Sequence, residues 1–386
     1  MSQDDVMPPR RRQHADADPS VDWASFGFGL NGVRTDYMWL DQVSVDTAVS
    51  TKDNDATYSA STEQCLVPLG PLPLHPSATV LNYGQSLFEG LKAVRRQCDG
   101  SIVLFRPHRN AKRMQAGAKR FFMPPVSEDT FVAAADAVVR ANAKWVPPVG
   151  QGALYLRPLL MGTGEGLGVK PSTEVTFCIY CSPVGNYFKG NLKAIRLQAV
   201  KGFSRAAAGG SGGIKAAGNY APAFQVQKQV RERGYDEVLC LDAATGEAVE
   251  EAGASNFFAV FDDNRVVTPT LETQTILPGV TRASIIELLQ NECGCTVEER
   301  RLTLTDLKDA VEAFCCGTGA SVTPVGSVSI ADQDGVEDAS AQMTFGDGTT
   351  PGALTQKIYK ILLDLQMGVD EQLNEKYREW IHTVEP

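Results

Sequence analysis

One lysine, Lys215, stands in a stretch of glycine and small apolar residues that runs from Gly209 to Tyr220. Low polarity around a lysine lowers the pKa of its amine, and small neighbours let a flat cofactor approach the backbone. A lysine that forms a Schiff base needs such a setting. The alternative is a flexible loop with a solvated lysine, because lysines are mostly exposed.

A second group of polar residues is suited to binding carboxylates. Tyr155 and Arg157 are two positions apart in an apolar run, so in a strand both side chains point to the same face. A phenol beside a guanidinium forms a carboxylate receptor, although the arginine could instead pair with a structural acid. Arg106 also lies in an apolar run and needs an anionic partner if it is buried.

Two further segments present backbone amides to an anion. Val280 and Thr281 follow Pro278-Gly279 and begin an apolar helix, whose first amides are free to bind a phosphate. Thr318 and Gly319 lie in a turn that offers a second anion site. A simple Pro-Gly entry into a helix explains the first segment equally well.

Glu251 ends a predicted strand and is followed by Asn256. A carboxylate buried there needs a cationic partner, and a protonated pyridine nitrogen would serve. The alternative is a solvated acidic turn. The four histidines are scattered along the chain, so we expect no metal site.

The elements that must position these residues can be predicted from apolar periodicity and from glycine and proline. We predict helices at residues 110–122, 128–144, 219–233, 283–290 and 304–314. We predict strands at residues 153–158, 174–180, 194–200 and 238–242, and a hairpin from 257–261 and 265–268. The alternation of strands and helices in both halves predicts a mixed α/β protein.

Composition limits the class of partner. The chain has 386 residues, which predicts two domains, and its net charge of −10 argues against a nucleic-acid partner. No apolar run is long enough for a membrane helix, so we expect no membrane partner. The nine cysteines are irregularly spaced, which indicates thiols in a reducing compartment.

Several separated motifs together resemble the branched-chain amino-acid aminotransferases, which are pyridoxal-phosphate enzymes of fold type IV. The resemblance covers nearly the whole chain from about residue 25. The motifs, in chain order, are Leu81-Asn82-Tyr83, Leu87-Phe88-Glu89-Gly90, Leu104-Phe105-Arg106-Pro107, Tyr155-Leu156-Arg157-Pro158, Lys215 with Gly218-Asn219-Tyr220, Glu251 with Asn256, Leu277-Pro278-Gly279-Val280-Thr281-Arg282, and Gly317-Thr318.

The resemblance implies pyridoxal 5'-phosphate as the cofactor and assigns residues to it. Lys215 would carry the cofactor as a Schiff base and move the proton. Glu251 would pair with the pyridine nitrogen, and Tyr220 would bind the phenolic oxygen. Arg106 would hold the phosphate with the amides of Val280 and Thr281, next to Thr318.

The resemblance also assigns the substrate side. Tyr155 and the amides of Thr318 and Gly319 would receive the α-carboxylate. Arg157 would bind the distal carboxylate of glutamate or 2-oxoglutarate. Phe88 and Tyr187 would line the aliphatic part of the pocket, and Tyr83 would come from the partner subunit of a homodimer. This chain has Gly319 where the family usually has alanine, which loosens the turn.

The activity implied is a ping-pong exchange between leucine, isoleucine or valine and 2-oxoglutarate. Alternatives are a D-amino-acid aminotransferase or an aminodeoxychorismate lyase of the same fold, or a binding protein without catalysis. We expect a disordered tail at residues 1–24, a small α+β domain at 25–183, a linker at 184–192, and a large domain at 193–386 with a mixed, barrel-like sheet and flanking helices. We expect a cytoplasmic enzyme, with an organellar form as the alternative.

Overall fold

The computed structural model describes residues 14–27, 34–45, 65–186, 192–338 and 341–386. Within these ranges the chain forms two β-sheets with helices packed on both. The two sheets follow one another along the chain, except for the last strand. The site described below lies where the sheets meet.

The first half of the chain forms an antiparallel sheet with three helices. Its strands are β1 (Tyr37–Ser44), β2 (Leu66–Pro68), β3 (Ser86–Phe88), β4 (Leu91–Arg95), β5 (Ile102–Phe105), β6 (Ala153–Gly162) and β7 (Glu174–Val184). Its helices are α1 (Thr79–Tyr83), α2 (Pro107–Arg120) and α3 (Glu128–Ala141). The strand order is β17-β5-β4-β6-β7-β1-β2, where β17 is the C-terminal strand Ile381–Thr383, and β3 pairs with β6.

One face of this sheet is covered by α3, which is why α3 buries an apolar stripe. Phe131 and Val138 of α3 are fully buried and share one core with Leu156 and Phe177 of the sheet. The rings of Phe131 and Phe177 lie 6.0 Å apart. Apolar residues spaced seven apart in a helix fall on one side, so burial of this stripe holds α3 to the sheet.

The second half forms a closed, mixed barrel with further strands and helices. Its strands are β8 (Ile195–Val200), β9 (Glu237–Leu241), β10 (Val249–Ala252), β11 (Ser255–Val260), β12 (Arg265–Pro269), β13 (Thr296–Arg300), β14 (Glu312–Gly317), β15 (Ser321–Ala331) and β16 (Met343–Thr344). Its helices are α4 (Phe224–Glu232), α5 (Val280–Cys293), α6 (Ala353–Met367) and α7 (Glu371–Lys376).

The barrel closes because β10 pairs with both β9 and β11, giving the circular order β8-β9-β10-β11-β14-β15. The β8–β9 and β15–β8 pairs are parallel, and the other pairs of the ring are antiparallel. The fold class predicted from the sequence, a small α+β part followed by a mixed barrel with helices, is confirmed.

Alternate residues of the barrel strands face two different cores. Phe257 packs inside the barrel with Leu197 and Leu239. Phe258, the next residue, points outward to α5 and α6 and stacks on Phe314 with ring centres 4.9 Å apart. Side chains alternate along a strand, so one strand supplies both the barrel interior and the layer under the helices.

The helix predicted at residues 304–314 is wrong. A short 3-10 helix occupies Asp306–Asp309, and Glu312–Gly317 forms strand β14 between β11 and β15. The consecutive residues 313–316 are all buried. A barrel strand covered on both faces reads as a continuous apolar run, which sequence periodicity alone does not distinguish from a buried helix.

Only part of the predicted N-terminal tail can be compared with the structure, because residues 1–13 lie outside the described residues. In the described part of this segment, the backbone amide of Asp18 donates to the carbonyl of Lys144 at 2.9 Å, and the predicted tail stays a prediction. Trp23 is buried.

The predicted domain division falls between β7 and β8, and residues 187–191 of the proposed linker lie outside the described residues. The C-terminal strand β17 pairs with β5 of the first sheet. The predicted second domain, residues 193–386, would therefore contain a strand of the first sheet. The division therefore stays a prediction. Among the described residues, no helix combines the length and the apolar content needed to span a bilayer.

Candidate active site

Lys215 lies in the segment between β8 and α4, facing the first sheet. Its Nζ donates to Oη of Tyr220 at 3.2 Å and lies 4.6 Å from the ring centre of Phe88. The backbone amide of Phe88 donates to the carbonyl of Lys215 at 3.1 Å. Strand β3 of the first sheet therefore positions a lysine that belongs to the second half of the chain.

The surroundings of Lys215 favour its neutral amine. Burial, reinforced by the positive charge of Arg113, lowers the pKa of Lys215 to about 8, against the opposing charges of Glu89 and Glu251. Burial, with the negative charge of Glu251, raises the pKa of Tyr220 to about 12. Near neutral pH the phenol of Tyr220 thus stays protonated. The amine of Lys215 beside it is neutral more often than an ordinary lysine amine.

Glu251 lies on β10, close to Lys215, with only 3% of its surface exposed. Its Oε1 accepts hydrogen bonds from the backbone amide of Leu277 at 2.5 Å and from Nδ2 of Asn256 at 3.3 Å. Asn256 is its partner across the β10–β11 pair. Burial raises the pKa of the Glu251 carboxyl. The carboxylate is thus held in place near Lys215, whose pKa its charge affects.

The predicted anion-binding segments come together in one pocket. Val280 and Thr281, at the start of α5, line it with Gly317 and Thr318 from the end of β14. Gly279 precedes α5 and supplies no capping side chain. The first amides of α5 therefore have no side-chain cap, and the positive end of the helix dipole faces the pocket.

Tyr155 and Arg157, which are predicted to bind carboxylates, have the expected placement on one strand. Tyr155 and Arg157 lie on the same face of β6, and the guanidinium of Arg157 lies 4.9 Å from the ring centre of Phe88. A Cβ atom at Gly90 would clash with the hydroxyl of Tyr155, so glycine is required at position 90. Within the described parts of the chain, the buried Nε of Arg157 has no hydrogen-bond partner.

The turn after β14 is tied to β4 and its neighbourhood by two side chains. Oγ1 of Thr318 donates to the carbonyl of Gly90 at 3.2 Å, and Nζ of Lys92 donates to the carbonyl of Gly319 at 2.6 Å. Burial lowers the pKa of Lys92 to about 8. Lys92 was not singled out in the sequence. Its position on β4, directly across from Tyr155, is a tertiary pairing.

Arg106 has protein partners in the structure, and its predicted role at the phosphate stays a prediction. Its Nη1 donates to Oγ of Ser284 and its Nη2 to Oε1 of Glu287, both at 2.9 Å, and its guanidinium stacks on the ring of Trp380 at 3.9 Å. The buried arginine thus has its anionic partner in Glu287. It contacts α5 beyond the first turn, away from the amides it was expected to assist.

Arg113, which the sequence reading missed, is the buried cation near Lys215. Its Nε and Nη2 each donate to a carboxylate oxygen of Glu89 at 2.7 Å, and its Nη1 donates to the carbonyl of Pro278 at 3.1 Å. Pro278 directly precedes the start of α5. Arg106 precedes α2 with a left-handed backbone, so helical spacing does not relate the two arginines.

Of the predicted substrate residues Tyr83 and Tyr187, the structure describes only Tyr83. Tyr83, at the end of α1, is 43% exposed and its hydroxyl donates to the carbonyl of Leu167. Tyr187 lies outside the described residues. Of the predicted site residues, Phe88, Tyr220 and Glu251 lie near Lys215, and Tyr155 and Arg157 lie beside Phe88. Val280, Thr281 and Thr318 line one pocket, with Gly319 in the adjoining turn.

Comparison with known proteins gives a consistent result. Residues 86–328 match the family described as amino-transferase class IV. The chain is 43% identical over 351 residues to the chloroplastic branched-chain-amino-acid aminotransferase 3 of Arabidopsis thaliana, covering 91% of this chain and 79% of the relative. It is 42% identical to the mitochondrial aminotransferase 1 of the same plant, covering 90% and 83%. A solved branched-chain amino acid aminotransferase of Escherichia coli superposes with a TM-score of 0.71 at 28% identity, covering 91% of this chain and 100% of that one.

Proposed function

This chain belongs to the class IV aminotransferases and, within them, to the branched-chain amino-acid aminotransferases, and from that premise we propose how its residues carry out the reaction. The enzyme is a transaminase of branched-chain amino acids. We propose leucine, isoleucine and valine as donors and 2-oxoglutarate as acceptor, in a ping-pong order. The observation that carries the assignment of the site is the Lys215 amine, with its pKa near 8, held between Tyr220 and Phe88.

Pyridoxal 5'-phosphate is the cofactor implied by the family, and the residues of this site fit it. When bound, it supplies an aldehyde that reacts with amines and a ring that withdraws electrons from the substrate α-carbon. Val280 and Thr281 offer uncapped amides for the phosphate, and Arg113 offers the nearby positive charge. Glu251 offers a buried carboxylate for the pyridine nitrogen.

Lys215 performs the proton transfer in this proposal. Its Nζ would take the proton from the substrate α-carbon and deliver it to the cofactor's C4′, the former aldehyde carbon, which requires the amine to be neutral at the start. With its pKa lowered from 10.5 to about 8, the amine has a much larger neutral fraction near neutral pH than an ordinary lysine. Tyr220 accepts a hydrogen bond from Nζ at 3.2 Å and so restricts where the amine can reach.

The substrate carboxylates are bound by separate groups. Tyr155, with the amides of Thr318 and Gly319, receives the α-carboxylate, and Arg157 receives the distal carboxylate of the acidic partner. Phe88 lies under Arg157 and supplies apolar contact for an aliphatic side chain. One pocket thus serves both side chains, because the guanidinium can stack on Phe88 when no acid is bound.

A donor screen tests the activity. We expect L-leucine, L-isoleucine and L-valine to form glutamate from 2-oxoglutarate, with no turnover of D-alanine. The lyase alternative needs no oxo acid, so aminodeoxychorismate without an acceptor is the second control. Turnover of D-alanine in place of the branched L-amino acids, or cleavage of aminodeoxychorismate, would contradict the assignment.

Replacing Arg157 with methionine should affect only the acidic substrates. We expect the KM for 2-oxoglutarate to rise about 10- to 100-fold, from the loss of about 1.5 to 3 kcal/mol in a charged hydrogen bond. The KM for L-leucine should change by less than about threefold, since methionine preserves the apolar stem. Steady-state kinetics with each substrate measures the two values. Equal changes in the KM values for 2-oxoglutarate and L-leucine would show that Arg157 shapes the whole pocket. Arg157→Lys, which keeps the positive charge, is the control.

The lowered pKa of Lys215 predicts a labelling profile in the enzyme without cofactor. The neutral amine is the reactive form, so its reductive methylation should increase about tenfold per pH unit below pH 8 and level off above it. Mass spectrometry measures the extent of methylation of each lysine at each pH, normalised to the maximum for that lysine. The exposed Lys228 in the same sample is the control. A Lys215 midpoint near 10.5, the ordinary value for lysine, would contradict the local electrostatics.

We further propose a homodimer. Leu81, Tyr83, Leu167 and Val169 are large, exposed apolar side chains, and the Tyr83 hydroxyl joins the two segments through the Leu167 carbonyl. Leu167 and Val169 are 85% and 87% exposed, an unusual degree for apolar residues that stay in water. Sedimentation of the wild type and of Leu167→Asp tests this, with a monomeric wild type as the contradicting result.

The compartment stays a prediction. We expect a cytoplasmic enzyme. The names of two plant relatives place those proteins in the chloroplast and in the mitochondrion. Imaging of the full chain with a fluorescent protein fused at its C-terminus separates these locations.

A further inference from the structure

The segment that carries Lys215 contains no regular element and is held in place by side chains. Residues 206–213 are glycine, alanine and serine. At one end, Nδ2 of Asn219 donates to the carbonyls of Ser211 and Ile214 at 2.7 and 3.0 Å. Such an amide clamp fixes the chain on both sides of its glycines, where the backbone would otherwise have the most freedom.

Arg205 holds the other end of this segment. Its Nη2 donates to the carbonyl of Thr275 at 2.5 Å and to that of Gly212 at 3.3 Å. A Cβ atom at Gly212 would lie 2.7 Å from the Thr275 carbonyl oxygen, so the two backbones are in close contact. The guanidinium of Arg205 is thus fixed by two carbonyl groups from different segments.

Arg205 is also the cation beside Glu251. Its Nη2 lies 3.4 Å from Oε2 of Glu251, and the two side chains are 5% and 4% exposed. The other carboxylate oxygen, Oε1, accepts its hydrogen bonds from the uncharged groups of Leu277 and Asn256. Burial raises the pKa of Glu251 and the charge of Arg205 is the first effect that opposes it. Charges this deeply buried interact strongly because little water screens them.

We propose that Arg205 is a positioning residue for the cofactor: fixed by the Gly212 and Thr275 carbonyls, it keeps the Glu251 carboxylate ionised and oriented toward the pyridine nitrogen. The inference rests on the proposed role of Glu251. It adds a residue that contacts neither substrate nor cofactor and acts only through the carboxylate.

Glu250 provides a matched control on the same strand. It is also buried, at 4% exposure, and the charge of Arg205 also lowers its pKa against the effect of burial. Consecutive residues of a strand point to opposite faces, so Glu250 faces away from the side on which Glu251 meets the cofactor. Loss of Glu250 should therefore not change the dependence of cofactor binding on Arg205.

The experiment is a double-mutant cycle on pyridoxal phosphate affinity, measured by fluorescence titration of the enzyme without cofactor. We expect Arg205→Met to weaken binding about tenfold in the wild-type background and less than about twofold in Glu251→Gln, because no charge is then left to stabilise. In Glu250→Gln the effect of Arg205→Met should stay near tenfold.

Two further variants separate charge from shape. Arg205→Lys should keep the affinity within about threefold of the wild type, since it retains the charge. Arg205→Gln, which keeps hydrogen-bond donors without the charge, should behave as Arg205→Met, and it replaces that variant in the cycle if Arg205→Met does not fold in thermal unfolding. Additive effects of Arg205 and Glu251, or wild-type affinity in Arg205→Gln, would overturn the inference. A wild type that binds no pyridoxal phosphate would instead reject the proposed function.

Discussion

Lys215→Ala should reduce kcat/KM for L-leucine by about 10⁴-fold, the upper end of what a positioned proton-transfer group contributes. Alanine removes both the bond to the cofactor and the base that takes the α-proton. Single-turnover spectroscopy distinguishes the steps: the wild type, loaded with pyridoxal phosphate, should lose its visible band on mixing with L-leucine, while the variant stalls. The pyridoxamine form should accumulate only in the wild type.

Lys228→Ala is the matched control for this change. Lys228 lies in α4, shortly after Lys215 in the chain, with 79% of its side chain exposed and a single ion pair to Glu232. An exposed pair of this kind contributes about 0 to 1 kcal/mol, so this variant should turn over L-leucine at the wild-type rate. A Lys215→Ala variant that retains multiple turnover at a comparable rate would exclude Lys215 as the catalytic base.

Arg113→Met should lower the free energy of unfolding by about 3 to 5 kcal/mol, the typical cost of leaving one member of a buried ion pair uncompensated. Glu89 is fully buried and receives two hydrogen bonds of 2.7 Å from Arg113. Without the guanidinium, its only other side-chain donor among the described residues is Nδ2 of Asn110, at 2.8 Å. Urea unfolding of the enzyme without cofactor measures the loss.

Two comparisons make this prediction specific. Arg109→Met, one turn earlier in α2, breaks a pair with Glu287 at 3.8 Å in which Arg109 is 54% exposed, and should cost less than about 1 kcal/mol. Adding Glu89→Gln to Arg113→Met should recover much of the stability, because the uncompensated charge is then removed. An Arg113→Met protein as stable as the wild type would mean that the Glu89 charge is stabilised by other groups.

The chemistry of the candidate site could be predicted where it depends on neighbours in the chain. A lysine among glycines, a tyrosine and an arginine two apart in a strand, and a Pro-Gly entry into a helix are local patterns. The structure places Lys215, the pair of Tyr155 and Arg157, and the start of α5 at Val280 as these patterns indicate. Backbone periodicity alone decides which face such side chains share.

The choice between Arg106 and Arg113 could not be made in this way. Arg106 immediately precedes α2 and Arg113 lies within it, and the motif drew attention to Arg106. The packing of α2 between β3 and α5 places Arg113 on Glu89 and Pro278, and leaves Arg106 to Glu287. The two arginines can be distinguished only by their tertiary contacts. Local spacing in the sequence does not determine these contacts.

By itself, the sequence determined the local conformations and the set of reactive side chains, because hydrophobic periodicity, glycine content and motif spacing act over a few residues. Tertiary structure alone decided how the barrel closes through β10 and β11, why residues 312–317 form a strand, and which buried cations, Lys92, Arg113 and Arg205, accompany the site. The physical reason is that burial and charge pairing depend on residues far apart in the chain. A side chain acquires its pKa and its partner only when those residues meet.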